Sequence, residues 1–272
     1  MVRSLWSAAS GMIAQQQNVD TIANNLANVN TTGYKMEVNE FKSLLYQTVQ
    51  NKTTTANGVR KPIGAQVGLG VRTASITSEF AQGAFLDSEN PSSCAISGKG
   101  FFGIQGEDGD TYYTRNGDFV WALNTTGGLS LTTTDGLRVL NTNGQPINLG
   151  GNYIADRIQI GDDGMIMYPD ADGNAQPVGM TIGLWQFQNA KGLDKVGDSL
   201  YHTTASSGDA MNEATNNNVE KSSIRQGYLE GSNVQIAEEM VNLIIAQRAY
   251  ESNSKAITTS DEMLQIANQL KS

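Results

Sequence analysis

The chain has 272 residues, 39% of them hydrophobic and only 17% charged, with 29 glycines and a formal net charge of −9. That length can bury a substantial core, while the acidic balance argues against non-specific nucleic-acid binding, which needs a basic patch. One cysteine, Cys94, excludes an intrachain disulfide, and one histidine, His202, removes most zinc and histidine-based catalytic schemes.

The start of the chain reads as a helix. Residues 1–32 hold a single glycine, Gly11, and no proline, so the heavy helix penalties of those residues are nearly absent. The short apolar stretch after Arg3 runs into Gln15, Gln16 and Gln17 rather than a cleavage site, so export by a secretory signal is not expected. Nor does any apolar run approach the roughly 18 residues of a membrane span. Leu5, Ala8, Met12, Gln15, Val19, Ile22, Leu26 and Val29 alternate in steps of three and four, a heptad seam.

From residue 33 to 79 the chain reads as an extended connector. Lys52-Thr53-Thr54-Thr55-Ala56-Asn57-Gly58 is turn-rich and polar, and the spacing of Val38, Phe41, Leu45 and Val49 hints at a helix without settling it. Residues 80–231 read as an antiparallel β domain. Short runs of period two fall at 101–104, 111–114 and 119–121, bounded by turns such as Glu107-Asp108-Gly109 and Asn116-Gly117. Further strands are expected at 137–140, 153–160, 165–168 and 180–187. Residues 232–272, free of glycine and proline, read as a second helix. Its seam comprises Ile236, Met240, Leu243, Gln247, Tyr250, Ser254, Ile257 and Leu264, interrupted at Asp261.

Both seams are narrow stripes. They could pack on an ordinary globular core, or they could face each other. In the second case helices entering and leaving one body must be antiparallel. A single register then sets Leu5 opposite Ile257, Met12 opposite Tyr250, Val19 opposite Leu243, Ile22 opposite Met240 and Leu26 opposite Ile236. It also sets Gln15 opposite Gln247, a polar layer able to fix the register. The expected fold is α+β: residues 1–32 and 232–272 paired as an antiparallel coiled coil, with a central antiparallel β domain reached through the extended connector.

The residues also carry a likeness. Ala23-Asn24-Asn25-Leu26-Ala27-Asn28-Val29-Asn30-Thr31-Thr32-Gly33-Tyr34-Lys35 resembles the N-terminal signature of bacterial flagellar rod and hook axial proteins. Ser232-Asn233-Val234, Glu238-Glu239-Met240-Val241, Gln247-Arg248-Ala249-Tyr250-Glu251 and Asp261-Glu262-Met263-Leu264 resemble the other end of that family. Gln82-Gly83, the stretch 98–102 and Tyr113-Thr114-Arg115-Asn116-Gly117 match internally. The opening Ser4-Leu5-Trp6, Leu44-Leu45-Tyr46-Gln47-Thr48 and Val67-Gly68-Leu69-Gly70-Val71-Arg72 resemble rod members more than the longer hook protein. The chain departs from the family pattern after Pro91, where Ser92-Ser93-Cys94 replaces a Leu-Asp pair.

The resemblance implies a structural subunit polymerising helically into a hollow shaft. Its implied partners are copies of itself, proximal rod proteins, the hook protein and ring proteins acting as a bushing. It further implies export through the flagellar type III apparatus and a location in the basal body, across the periplasm. Within the signature, Gly33 is suited to a left-handed helix end. The amides of Asn24 and Asn28, four apart, could bind the connecting segment, a neighbour, or simply the helix terminus. The polar residues Asn253, Thr258, Thr259, Gln265, Asn268 and Gln269 are expected to line part of the channel.

Other chemical signals are weak. Gly98-Lys99-Gly100-Phe101-Phe102-Gly103 has dinucleotide spacing, but a β run follows where a helix N-terminus is needed. Asp170-Ala171-Asp172-Gly173-Asn174 begins like a calcium loop but has Ala175 and Thr181 where glycine and glutamate belong. Cys94 reads as a core residue rather than a nucleophile. No catalytic residue, metal or cofactor is expected. A secreted wall-modifying enzyme with a coiled-coil anchor stays open as the distant alternative, since counting carboxylates excludes no glycosidase pair.

Overall fold

A computed structural model describes residues 2–50, 64–124, 127–170, 173–216 and 218–270, divided into two compact units. The polar stretch 52–58, together with Ala171 and Asp172 of the calcium-like loop, lies outside the described residues.

The first unit comprises residues 1–27, 37–78 and 235–272. Its two long helices are α1, Val2–Ala27, and α2, Ile236–Gln269. α1 ends earlier than the glycine pattern suggests, because Asn28–Thr31 turns on itself through a Thr31 N–H bond to the Asn28 carbonyl. Asn25 meets Glu239 at 3.0 Å, Gly11 lies against Asn253, and Ser4 meets Ser260 at 3.4 Å, so the helices run in opposite directions where they touch. The expected register would have set Asn25 opposite Ala237. The three contacts share one offset, about two residues from that expectation.

Between the helices in sequence, Glu37–Ser43 pairs antiparallel with Val71–Ser78, and Tyr46–Gln50 with Ala65–Gly68. The ambiguous pattern is therefore not helix: Val38, Phe41 and Val49 lie in strands, and Leu45 in the link between them. Gly70 is held at φ +118°, and a Cβ there would fall 2.0 Å from Ser10 Oγ, so glycine permits the close approach to α1. Val71 N–H donates to that same Ser10 hydroxyl.

The second unit, residues 28–36 and 79–234, is built on antiparallel strands. The hairpin of Phe101–Gln105 and Thr111–Thr114 is central, flanked by Arg138–Val139, Leu184–Gln186 and Leu200–His202. Leu129–Thr133 joins Phe119–Leu123 to the same sheet. Met165–Pro169 and Ala175–Thr181 form a separate hairpin joined by Gln159–Ile160. Residues 155–157 form a 3-10 turn inside the longer strand expected at 153–160. The main hydrophobic core includes Ile96, Phe102, Ile104, Phe119, Leu131, Ile147, Ile166 and Ile224. A second, aromatic cluster joins Phe101, Tyr113, Trp185 and Tyr201, with Phe80 and Phe187 at its margin and ring centroids 4.9–6.1 Å apart. Such edge-to-face contacts add about 0.5–1.5 kcal/mol each beyond their burial.

Two further ladders close this unit. Cys94–Ser97 pairs with Ser223–Gln226, and Phe85–Asp87 with Tyr228–Glu230. Polar Ser223 and Gln226 conceal the first of these from any hydrophobic pattern.

Candidate functional site

The segments singled out by resemblance converge on one carboxylate. Glu230 ends the closing strand with its side chain wholly buried. Lys35 Nζ lies 2.6 Å from Glu230 Oε1 and 2.8 Å from the Ala81 carbonyl. Arg115 Nη1 lies 3.3 Å from Glu230 Oε2, and its Nη2 donates to the Gly98 carbonyl at 2.7 Å. Gly83 N–H also donates to the carboxylate, at 2.9 Å, and Gly33 N–H to the Glu230 carbonyl, at 2.8 Å. Residues 33–35, 83, 98, 115 and 230 thus form one knot.

Glycine makes the knot possible. At φ +69° Gly33 sits where a Cβ would come 2.6 Å from the Asn116 N atom, so neither its conformation nor its surroundings admit a side chain. It lies beyond α1 rather than capping it. Burial is the main influence on both cations, lowering the pKa of Lys35 and of Arg115, and Glu230 opposes it in each case. Arg115 also stacks over Phe101, 5.2 Å from the ring centroid, while its Nε is buried without a hydrogen-bond partner.

A second junction lies in the first unit. Asn25 is buried, its Oδ1 accepting from Glu37 N–H at 2.8 Å and its Nδ2 donating to the Glu37 carbonyl and to Glu239. Of the three signature asparagines it is Asn25, between the two spaced four apart, that holds the returning strand. Asn24 reaches the Glu37 carboxylate at 3.5 Å, and Asn28 Oδ1 accepts from Thr31 Oγ1. Thr32 Oγ1 donates to Asn116 Oδ1 at 3.0 Å. Sequence reasoning named the motifs holding Lys35 and Arg115 but not the charge cluster, because its members are far apart along the chain.

The seam residues fall unevenly. On α1, Ile22 is buried and Leu5, Met12, Gln15, Val19 and Leu26 are half-buried. On α2, Leu243, Ile257 and Leu264 are half-buried, but Ile236, Met240, Gln247 and Tyr250 are exposed. The protected stripe of α2 contains Glu239, Ala246, Asn253 and Ser260 instead. Asn253, turned toward Gly11, stands apart from the exposed Thr258, Thr259, Gln265, Asn268 and Gln269, so it cannot share a channel-lining face with them.

The weaker chemical signals have structural explanations. A Cβ on Gly103 would meet the Trp185 ring at 2.3 Å and one on Gly100 would meet Glu213 at 2.6 Å, so these glycines serve packing. Asp170 N–H bonds the Asn174 carbonyl across a hairpin turn. Cys94 is wholly buried, and burial pushes its thiol up to about 12. His202 packs on Tyr112, 5.7 Å between centroids.

Three family descriptions match the chain: flagella basal body rod protein over residues 5–35, the flagellar hook protein FlgE/F/G D1 domain over 95–168, and the C-terminal region of flagellar basal body rod FlgEFG proteins over 225–270. Flagellar basal-body rod protein FlgG of Borreliella burgdorferi is 44% identical over 100% of this chain and 99% of its own length. FlgG of Caulobacter vibrioides is 41% identical with full coverage of both chains. The flagellar hook-basal body complex protein FlhP of Bacillus subtilis is 32% identical, again over the whole of both.

Proposed function

We propose, for this chain, which belongs to the family of flagellar basal-body rod proteins, the work of a structural subunit of the distal rod. Copies polymerise helically into a hollow shaft that carries motor torque to the hook and leaves a channel for export. Its partners in this reading are other copies, the proximal rod proteins, the hook protein, the surrounding ring proteins and the type III export apparatus.

The observation that carries this reading is the free face of α2. Met240, Val241, Ile244 and Ile245 are 52%, 55%, 55% and 61% exposed, away from the stripe of Glu239, Leu243 and Ala246. A helix apolar on more than one side wants more than one packing partner. Within one subunit α1 occupies one side; identical contacts repeated with a non-closing rotation give a filament. The antiparallel helices then act as a coiled-coil axial element, stiff along the shaft. Thr258, Thr259, Gln265, Asn268 and Gln269 supply an uncharged lining that holds passing unfolded cargo weakly.

The test is Met240→Glu with Ile244→Glu in a motile bacterium relying on this chain for its rod. The purified variant should stay folded, while rods fail and motility is lost. Normal rods and swimming with both substitutions would overturn the reading.

A further inference from the structure

The separate hairpin of the second unit, Met165–Pro169 with Ala175–Thr181, borders a groove of about 370 Å³ that the polymer reading does not use. Tyr153 and Tyr168 supply its floor. Their rings meet edge to face with centroids 5.0 Å apart, and both pack on the main hydrophobic core, so the floor is held from beneath. Tyr168 stands directly opposite Gln176 in the ladder, which puts their Cβ atoms about 5 Å apart on one face.

Arg157 walls the groove from the 3-10 turn Ala155–Arg157, which is fixed by the Arg157 N–H on the Ile154 carbonyl at 3.1 Å and by buried Ile158 beside it. The Arg157 guanidinium, the Gln176 amide and the two phenol hydroxyls have no hydrogen-bond or ion-pair partner among the described residues. Uncommitted polar groups thus surround an apolar patch, the arrangement of a small-ligand site.

We propose that this groove binds an uncharged oligosaccharide. Acidic residues outnumber basic ones across residues 79–234, so the single guanidinium of the groove sits in a field that repels a polyanion. Ala175–Thr181 is an edge strand of its sheet, but Pro177 takes away an N–H that an added peptide strand would use. The lining suits a ligand with no net charge, an apolar face for the tyrosines, and a rim that both donates and accepts. A pyranose chain has all three. Its C–H face lies on the aromatic floor, while its hydroxyls accept from Arg157 and exchange hydrogen bonds in either sense with Gln176. The site needs no polymer and stands apart from the rod reading.

The experiment is an NMR-detected titration of the purified full chain with chitotetraose and with cellotetraose, which separates N-acetylated from plain sugar chains. At least one should shift the ring resonances of Tyr153 and Tyr168 saturably. Arg157→Ala with Gln176→Ala, both at exposed positions, should weaken that binding about tenfold, the equivalent of about 1.4 kcal/mol, with the circular dichroism spectrum unchanged. Arg138→Ala, on a different strand, should leave it intact. The proposal is overturned if neither sugar shifts those rings at any concentration, or if the double variant binds as tightly as wild type. It is equally overturned if decaproline or heparin saturates the groove and the sugars do not. Rod assembly and swimming are read separately, so failure here leaves the rod reading standing.

Discussion

Lys35 and Glu230 lie 195 residues apart in sequence, yet their charged atoms meet at 2.6 Å with neither side chain reaching solvent. Around them the returning N-terminal segment and the last strand before α2 are fixed to each other. Replacing Lys35 by Met should destabilise the protein by about 3–5 kcal/mol, because a buried carboxylate loses its nearer cation while its desolvation cost stays. Urea unfolding followed by tryptophan fluorescence reads this. Lys35→Met combined with Glu230→Leu should cost more than the single change, because Arg115 is then left unpaired.

The same lysine sets a pH signature. Burial lowers its pKa, so between that value and its ordinary 10.5 the unfolded chain holds a proton the folded chain has shed. Stability from this group therefore rises with pH across that window and is flat below it. Tyr113, whose pKa burial raises, acts oppositely, since its neutral phenol is favoured by folding and stability is lost as pH climbs past its usual value. Comparing wild type with Lys35→Met cancels Tyr113. The gap between them should widen in favour of wild type as pH approaches 10.5.

Gly33→Ala tests the knot from the backbone side. A Cβ at φ +69°, 2.6 Å from the Asn116 N atom, combines conformational strain with a clash against backbone that cannot rotate away. The expected loss is at least about 2 kcal/mol, more than the 0.4–1 kcal/mol that Gly→Ala gains where it fits. Thermal unfolding gives the number, and an unchanged midpoint would contradict the assignment.

Asn25→Leu should loosen the first unit alone. It strips both backbone partners from Glu37 and one amide from buried Glu239, a loss of about 2–4 kcal/mol. Hydrogen exchange should accelerate in α1 and in Glu37–Ser43 before it changes in Phe101–Gln105.

Cys94 offers a built-in reporter. With its thiol wholly buried and pushed up to about 12, it should resist alkylation in the folded chain at neutral pH. Modification should follow the urea curve of the β body; rapid labelling in the absence of denaturant would contradict its placement.

How far the sequence reached depends on the length scale of each signal. α1 was legible because Leu5, Met12, Val19, Ile22 and Leu26 share one buried or half-buried face, although Trp6 and Ile13 stay exposed. α2 was legible as a helix, but not in the choice of face. Ile236, Met240 and Tyr250 compete with Leu243, Ile257 and Leu264, and periodicity cannot rank two apolar sides. The strands at 101–104 and 111–114 announced themselves through aromatics and a tight acidic turn. Leu129–Thr133 and Ser223–Gln226, rich in Ser, Thr and Gln, did not. The charge knot was invisible because Coulomb partners across long sequence distances leave no local pattern.

The closing pair Phe85–Asp87 with Tyr228–Glu230 fixes a timetable as well as a shape. A chain emerging from its N-terminus exposes Gly33 and Lys35 long before their counterpart exists. Until residue 230 is present, Phe85–Asp87 lacks its strand partner and Lys35 and Arg115 lack the carboxylate they share. Completion of the pair waits for residue 230. The β body therefore reaches its final form only through contacts between residues far apart in sequence, and its folding cannot run ahead of its last strand.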